Sequence, residues 1–243
     1  MSFGAENSEM KFLILIVFMF LSPQIFAKEC VVLMHGYKRT GQCLDILEKA
    51  LISEGYLVQN ITYPTTQYSI EQIAKDYVAP QIRSIDCDKV HFVGHSMGGI
   101  VIRKYLSYYT PANLGNVVLI TTPNKGSEAV SRLKNWPFFE SILGPAAMDL
   151  EVGSNLLQSL PDPNYNVGII RATKPKISFI SLFLDGDNHD GVISYDAMLL
   201  DKENDMVDIY TTHNRILLEP DLEKYVSLFL KFGSFASPGK SAD

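Results

Sequence analysis

The chain has no surplus of basic charge. Its 21 Lys and Arg stand against 27 Asp and Glu, for a net charge of −6. This removes the general electrostatic case for nucleic-acid binding. Cysteine is sparse, with three in the chain. No Cys or His pair shows metal-ligand spacing, so no metal is expected; no organic cofactor is expected either. There is no internal repeat and no low-complexity tract. The apolar run Phe12 to Leu21 is short of the roughly 20 residues that a spanning helix needs. What is present, 243 residues with 47% hydrophobic content, suits one globular α/β domain with ample material for a core.

The N-terminus reads as a targeting segment. Met10-Lys11 leads into the apolar run, Ser22-Pro23-Gln24 breaks it, and Ile25-Phe26-Ala27 offers a small residue for cleavage. Residues 1–27 are therefore expected to be a signal peptide starting at Met1 or Met10, and the protein to be exported, periplasmic or secreted. The alternative is membrane association through an uncleaved N-terminus. Ala27-Lys28-Glu29-Cys30 lacks the small residues of a lipoprotein cleavage site, so no lipidation is expected. Residues 28–233 form the folded domain in this reading. The small, polar residues 234–243 form a flexible tail.

The stretch Val90 to Ile102 organises the rest. An apolar, partly β-branched run ends at Gly94, and a helix-compatible run starts just after Ser96. Between them Gly94-His95-Ser96-Met97-Gly98 fits G-x-S-x-G. In that setting the pattern describes a nucleophile elbow, a strained strand-to-helix turn that presents one serine Oγ above the sheet. A Cβ at either flanking glycine would crowd the turn. The N-terminus of the following helix favours a developing oxyanion.

Upstream, Val31 to Met34 reads as a buried parallel strand running into His35-Gly36-Tyr37. The backbone N–H of Tyr37 is expected to supply half of an oxyanion hole, with that of Met97 as the other half. His35 reads as a structural histidine bonded to loop backbone. Leu44, Leu47 and Leu51 lie on one helical stripe that Gly55 ends. Tyr56 to Thr62 is strand-like and contains the sequon Asn60-Ile61-Thr62. Ser69 caps a helix that Pro80 could kink. Gly115-Asn116 leads into a strand over Val117 to Ile120. Strands alternating with helices predict a mostly parallel sheet covered on both faces, with the site at the strands' carboxyl ends.

From 121 to 165 the pattern loosens into turns and apolar, irregular segments. Trp136, Phe138 and Phe139 give this insertion the composition of a lid or acyl-binding wall, and suggest transient contact with a lipid surface. Cys30 and Cys87 each precede a strand, Val31 to Met34 and Val90 to Val93. If these strands are parallel neighbours, both thiols lie at one sheet end, and a Cys30–Cys87 disulfide is expected. Cys43 is then the odd thiol, read as a buried helix residue.

A nucleophilic serine needs a base, and the base an orienting carboxylate, in the order Ser, Asp, His for this arrangement. His35, His91 and His95 precede the serine. His189 lies within four residues of every candidate acid, too close for a strand and return loop between them. His213 stands between the strand-like Met206 to Tyr210 and a final helix with Leu222, Tyr225, Val226 and Phe229 on its apolar stripe, which is where the base belongs. Asp185, Asp187 and Asp190 compete as the acid. Asp190 is preferred because Asp-Gly-Val-Ile-Ser makes a tight turn, and Asp187 is the runner-up.

These motifs together resemble the small lipase-like serine hydrolases of the α/β-hydrolase superfamily. His35-Gly36-Tyr37-Lys38-Arg39-Thr40 resembles the family's oxyanion loop, and Tyr63-Pro64 its segment after the second strand. Gly94 to Gly99 with Arg103 resembles the elbow and its helix. Thr122-Pro123-Asn124-Lys125-Gly126-Ser127 resembles the post-strand loop, and Asp190 to Ser194 with His213 the acid turn and base. Tyr37 departs from the family, where a smaller residue is common. The resemblance implies Ser96 as nucleophile, His213 as general base and Asp190 as orienter in an exported carboxylesterase or lipase. Acyl transfer or thioester cleavage on the same fold, or a non-catalytic binding module, are the alternatives.

Overall fold

A computed structural model describes residues 27–236. The expected signal peptide lies outside the described residues, apart from Ala27. Six strands form one sheet in the order β2-β1-β3-β4-β5-β6, and every adjacent pair is parallel. They are β1 (Glu29–Met34), β2 (Leu57–Ile61), β3 (Lys89–His95), β4 (Leu114–Ile120), β5 (Val167–Ala172) and β6 (Asp205–Ile209). Among the described residues, no helix is long and apolar enough to cross a membrane.

Alternation along each strand sends side chains to both faces, and both are covered. Val32, Met34 and Phe92 face one cluster, with the helical segments at 70–83 and with α4 (Met97–Tyr108). Val31, Leu33 and Val93 face the other, with α1 (Asp45–Ser53) and the final helix α10 (Pro220–Phe232), which follows the short α9 (Tyr195–Met198). The period-2 pattern of buried strands thus decides the layering.

Local chemistry sets the ends of these elements. Leu44, Leu47 and Leu51 are buried as their spacing predicts, but α1 begins one turn later, after a 3-10 turn over Gly41–Leu44. Ser69 accepts from the Gln72 N–H, and the Gln72 side chain returns the bond in a capping box. The helix it starts runs from α2 (Ile70–Gln72) through a π-helical stretch (Ile73–Val78) into α3 (Ala79–Arg83). Pro80 sits in the first turn of α3, where its missing N–H costs least.

Four expectations need correction. β4 starts at Leu114, so Gly115 and Asn116 are strand residues. His91 lies where a Cβ on Gly115 would be, so only glycine lets the strand pass it. The folded domain extends beyond 233, because Phe235 is buried against Phe229 and Tyr225 while its N–H bonds Asp205. Small, polar neighbours suggested a tail, but one aromatic ring finds the core. Cys43 is half-buried in the 3-10 turn rather than buried in a helix. In the insertion, Phe139 is buried, whereas Trp136 and Phe138 are exposed. Trp136 and Phe138 lie in the turn before the helix, where Phe138 has φ 64°, while Phe139 begins the helix and packs inward.

Asn60 serves the fold. Its amide donates to the Gly41 carbonyl and to Glu48, and Thr62 Oγ1 accepts from Gly41 N–H. The sequon side chains tie β2 to the 3-10 turn.

Candidate active site

β1 and β3 are adjacent although a strand and two crossovers separate them in sequence, so the chain reverses its winding direction there. Such a switch point opens a crevice at the carboxyl ends of the strands. His35-Gly36 leaves β1 into that crevice, and Ser96 follows β3 directly.

Ser96 has φ 55° and ψ −126°, a conformation side chains rarely adopt. The turn is held from both ends, with Ser96 N–H donating to the Ile120 carbonyl and Gly99 N–H to the Ser96 carbonyl. A Cβ on Gly94 would stand 2.6 Å from Gly99 N, and one on Gly98 2.3 Å from the Met34 carbonyl oxygen. Both contacts are with backbone, so neither can yield cheaply. Among the described residues, the N–H groups of Tyr37 and Met97 have no hydrogen-bond partner. Met97 opens α4, where a free N–H and the positive dipole end coincide.

His213 follows β6. One ring nitrogen, Nε2, is 3.0 Å from Ser96 Oγ, and the other, Nδ1, is 2.6 Å from Asp190 Oδ2. Asp190 is fully buried, and its other oxygen accepts from Val192 N–H at 2.9 Å and Ile193 N–H at 2.8 Å. The tight turn expected from Asp-Gly-Val-Ile is present. Gly191 takes φ 97° within it, a value glycine adopts without strain. His213 N–H also donates to the Asp190 carbonyl, so backbone and side chain both join the two loops. A buried carboxylate accepting at Nδ1 keeps the proton there and leaves Nε2 free to accept from the serine hydroxyl. Asp187 is exposed, and Asp185 pairs with Arg132 at 2.6 Å.

The remaining histidines hold scaffold. His35 Nδ1 donates to the Gly36 carbonyl, Nε2 accepts from Tyr63 N–H, and the ring stacks on Tyr63 at 4.2 Å. Burial lowers its pKa. His189 Nδ1 accepts from Gly191 N–H and so braces the acid turn. His95 is the residue that sequence order misses. Its Nε2 donates to the His213 carbonyl at 3.0 Å, anchoring the loop that carries the ring facing Ser96. Burial, then the proximity of His213, pushes its pKa down to about 3. No local signal marks this role, because the contact spans 118 positions and forms only when the two loops meet.

The insertion between β4 and β5 carries α5 (Glu128–Leu133), α6 (Phe139–Leu143), α7 (Pro145–Met148) and α8 (Asn155–Gln158). It is tied down at several points. Tyr37 Oη donates to the Leu143 carbonyl, Asp149 accepts from Ile70 N–H, and Glu128 accepts from Ser194 Oγ. Arg103 of α4 reaches the Asn124 carbonyl and side chain, and Asn124 donates onward to the Met198 carbonyl. Cys30 and Cys87 are joined as a disulfide, with Cα atoms 6.0 Å apart at the opposite end of the sheet from Ser96.

The comparisons agree with this architecture. A family model described as alpha/beta hydrolase fold matches residues 49–149. The mature form of the Bacillus licheniformis lipase BlEst2 superposes with a TM-score of 0.66 at 19% identity, over 85% of this chain and 92% of that one. An extracellular alpha/beta-hydrolase from a Paenibacillus species superposes at 0.54 with 16% identity, covering 84% and 98%. Phospholipase PlaB from Legionella pneumophila superposes at 0.53 with 19% identity, covering 71% of this chain and 44% of that one. At these identities the likeness is one of fold. The chain is an α/β-hydrolase-fold protein.

Proposed function

We propose that the chain is an exported serine hydrolase of carboxylic esters. One observation carries the reading: a strained serine, a histidine and a buried aspartate in a single hydrogen-bonded series, Ser96–His213–Asp190. In this mechanism His213 Nε2 takes the Ser96 proton as Oγ attacks the ester carbonyl. The unpaired N–H groups of Tyr37 and Met97 receive the oxyanion. Asp190 holds the imidazole and stabilises the imidazolium. His213 then protonates the leaving alcohol, and water, activated by the same base, releases the acid. Export is supported by the Cys30–Cys87 disulfide and by the apolar Phe12 to Leu21 run behind Lys11.

The test is hydrolysis of p-nitrophenyl esters from short to long acyl chains by the protein and by Ser96→Ala. Loss of the nucleophile should lower turnover on the order of a million-fold. Labelling by a fluorophosphonate should add mass to the peptide carrying Ser96 and no other. Unchanged turnover in Ser96→Ala would remove the reading.

A further inference from the structure

The cavity beside Ser96 and His213 measures about 340 Å³ and is lined in part by Lys38, Arg39, Ile180 and Val192. It adjoins a second cavity of about 300 Å³ with Lys176, Phe179 and Ile180 in its wall, and a third of about 540 Å³ with Arg39, Lys176 and Arg215. The charge of these walls is opposite to that of the chain. Acidic residues outnumber basic ones overall, 27 to 21. Yet the one acid among the three linings is Asp190, which is buried and engaged with His213. Among the described residues, Lys38, Arg39 and Lys176 have no carboxylate within 4.0 Å, while most other lysines and arginines do. Arg215 is partly offset by Glu219, 3.1 Å away.

Both key cations sit against the site. Arg39 N–H donates to the Gly36 carbonyl in the turn that presents Tyr37. Lys176 packs on the acid turn, with its Cβ 2.9 Å from where a Cβ on Gly191 would be. Exposed cations that face a concave wall without counter-charges are a receptor for an anion. The same walls carry exposed Phe179 and Ile180, which suit a hydrocarbon chain.

Resting on the ester-hydrolase reading of Ser96, we propose that the substrate is an amphiphilic ester bearing an anionic group of the phosphate kind. Arg39 and Lys176 receive the anion, and the Phe179–Ile180 wall receives the acyl chain. The anionic group belongs to the part of the ester that does not enter the apolar wall, the alcohol.

The experiment compares a monoacylglycerol with the same acyl chain on glycerol phosphate, in the full protein, Arg39→Gln, Lys176→Gln and Lys224→Gln. The readout is the ratio of kcat/KM for the anionic ester to that for the neutral one. Each of the first two substitutions should lower the ratio about tenfold at low salt, the size of one charge-assisted contact near a surface. Salt should lower the protein's own ratio. Lys224, outside these cavities, should leave it unaltered. Equal ratios in all four proteins would overturn the proposal while leaving hydrolysis by Ser96 intact.

A second readout does not need turnover. Trp136 is the chain's one tryptophan, and its ring packs edge-on against Phe179 and Phe183, with centroids 6.3 and 5.9 Å away. Its fluorescence should titrate with octyl phosphate, and more weakly in Arg39→Gln and Lys176→Gln. Inorganic phosphate as competitor separates the head of an amphiphile from a free small anion. Binding of octyl phosphate no tighter than octanol, or unaltered in both variants, would overturn the proposal whatever the hydrolytic result.

Discussion

Asp190→Asn tests the site at the point where geometry allows one outcome. The native carboxylate accepts from Val192 N–H and Ile193 N–H on Oδ1, and from His213 Nδ1 on Oδ2. An amide has a single oxygen. Two backbone N–H groups require it at the Oδ1 position, because the flipped rotamer would leave both facing an NH2 group, at about 1–3 kcal/mol for the buried Ile193 donor and less for the half-buried Val192 one. The asparagine NH2 therefore faces His213 Nδ1, which must become the acceptor. The imidazole proton moves to Nε2, and Nε2 no longer accepts from Ser96 Oγ. The expected loss is about 10⁴-fold in kcat, or about 5.5 kcal/mol of transition-state stabilisation. The three hydrogen bonds survive in number, so folding should change little. The assay is kcat on a short p-nitrophenyl ester, with thermal unfolding measured on the same samples. A loss of less than about tenfold would refute the reasoning, because a wrong tautomer cannot be that benign. Asp187→Asn, on the exposed part of the same loop, should show no comparable loss.

Two further predictions concern stability. Burial lowers the pKa of His35, His91 and His95, the last to about 3 from 6.5. Below pH 6.5 the unfolded chain takes up protons that the native chain refuses, so stability is full above that pH and falls as pH drops. His95 alone should remove about 2 kcal/mol between pH 6.5 and 4.5. Denaturant unfolding across that range checks it, and a His95→Gln variant with an equally steep slope would show the attribution to be wrong. Replacing Cys30 and Cys87 together by serine opens a loop spanning a sequence separation of 57, which should cost about 4 kcal/mol. Equal denaturant midpoints for the oxidised protein and the double variant would contradict it.

Much of the scaffold was legible because its signals are local or periodic. The buried strands and the Leu44–Leu47–Leu51 stripe follow from which faces need burial. The Ser69 cap, the elbow glycines and the Asp190 turn follow from backbone geometry that few residues satisfy. The order Ser96, Asp190, His213 is that of the α/β-hydrolase arrangement, and it narrowed the base to His213. These features were set by the sequence alone; the Cys30–Cys87 pair needed in addition that β1 and β3 be neighbours, which the sheet order supplies.

Other features depend on residues far apart in the chain meeting across the sheet. No local pattern marks His95 as the donor to the His213 carbonyl 118 positions away, because the contact exists only once β3 and the β6 loop stand side by side. Phe235 looked like part of a polar tail until α10 offered it Phe229 and Tyr225. Phe138 and Phe139 are adjacent in sequence, yet packing exposes one and buries the other. The grouping of Arg39, Lys176 and Arg215 around one mouth, in a chain of net negative charge, is likewise a product of folding. Charge placement is a sum over three-dimensional distances, and composition records only the total.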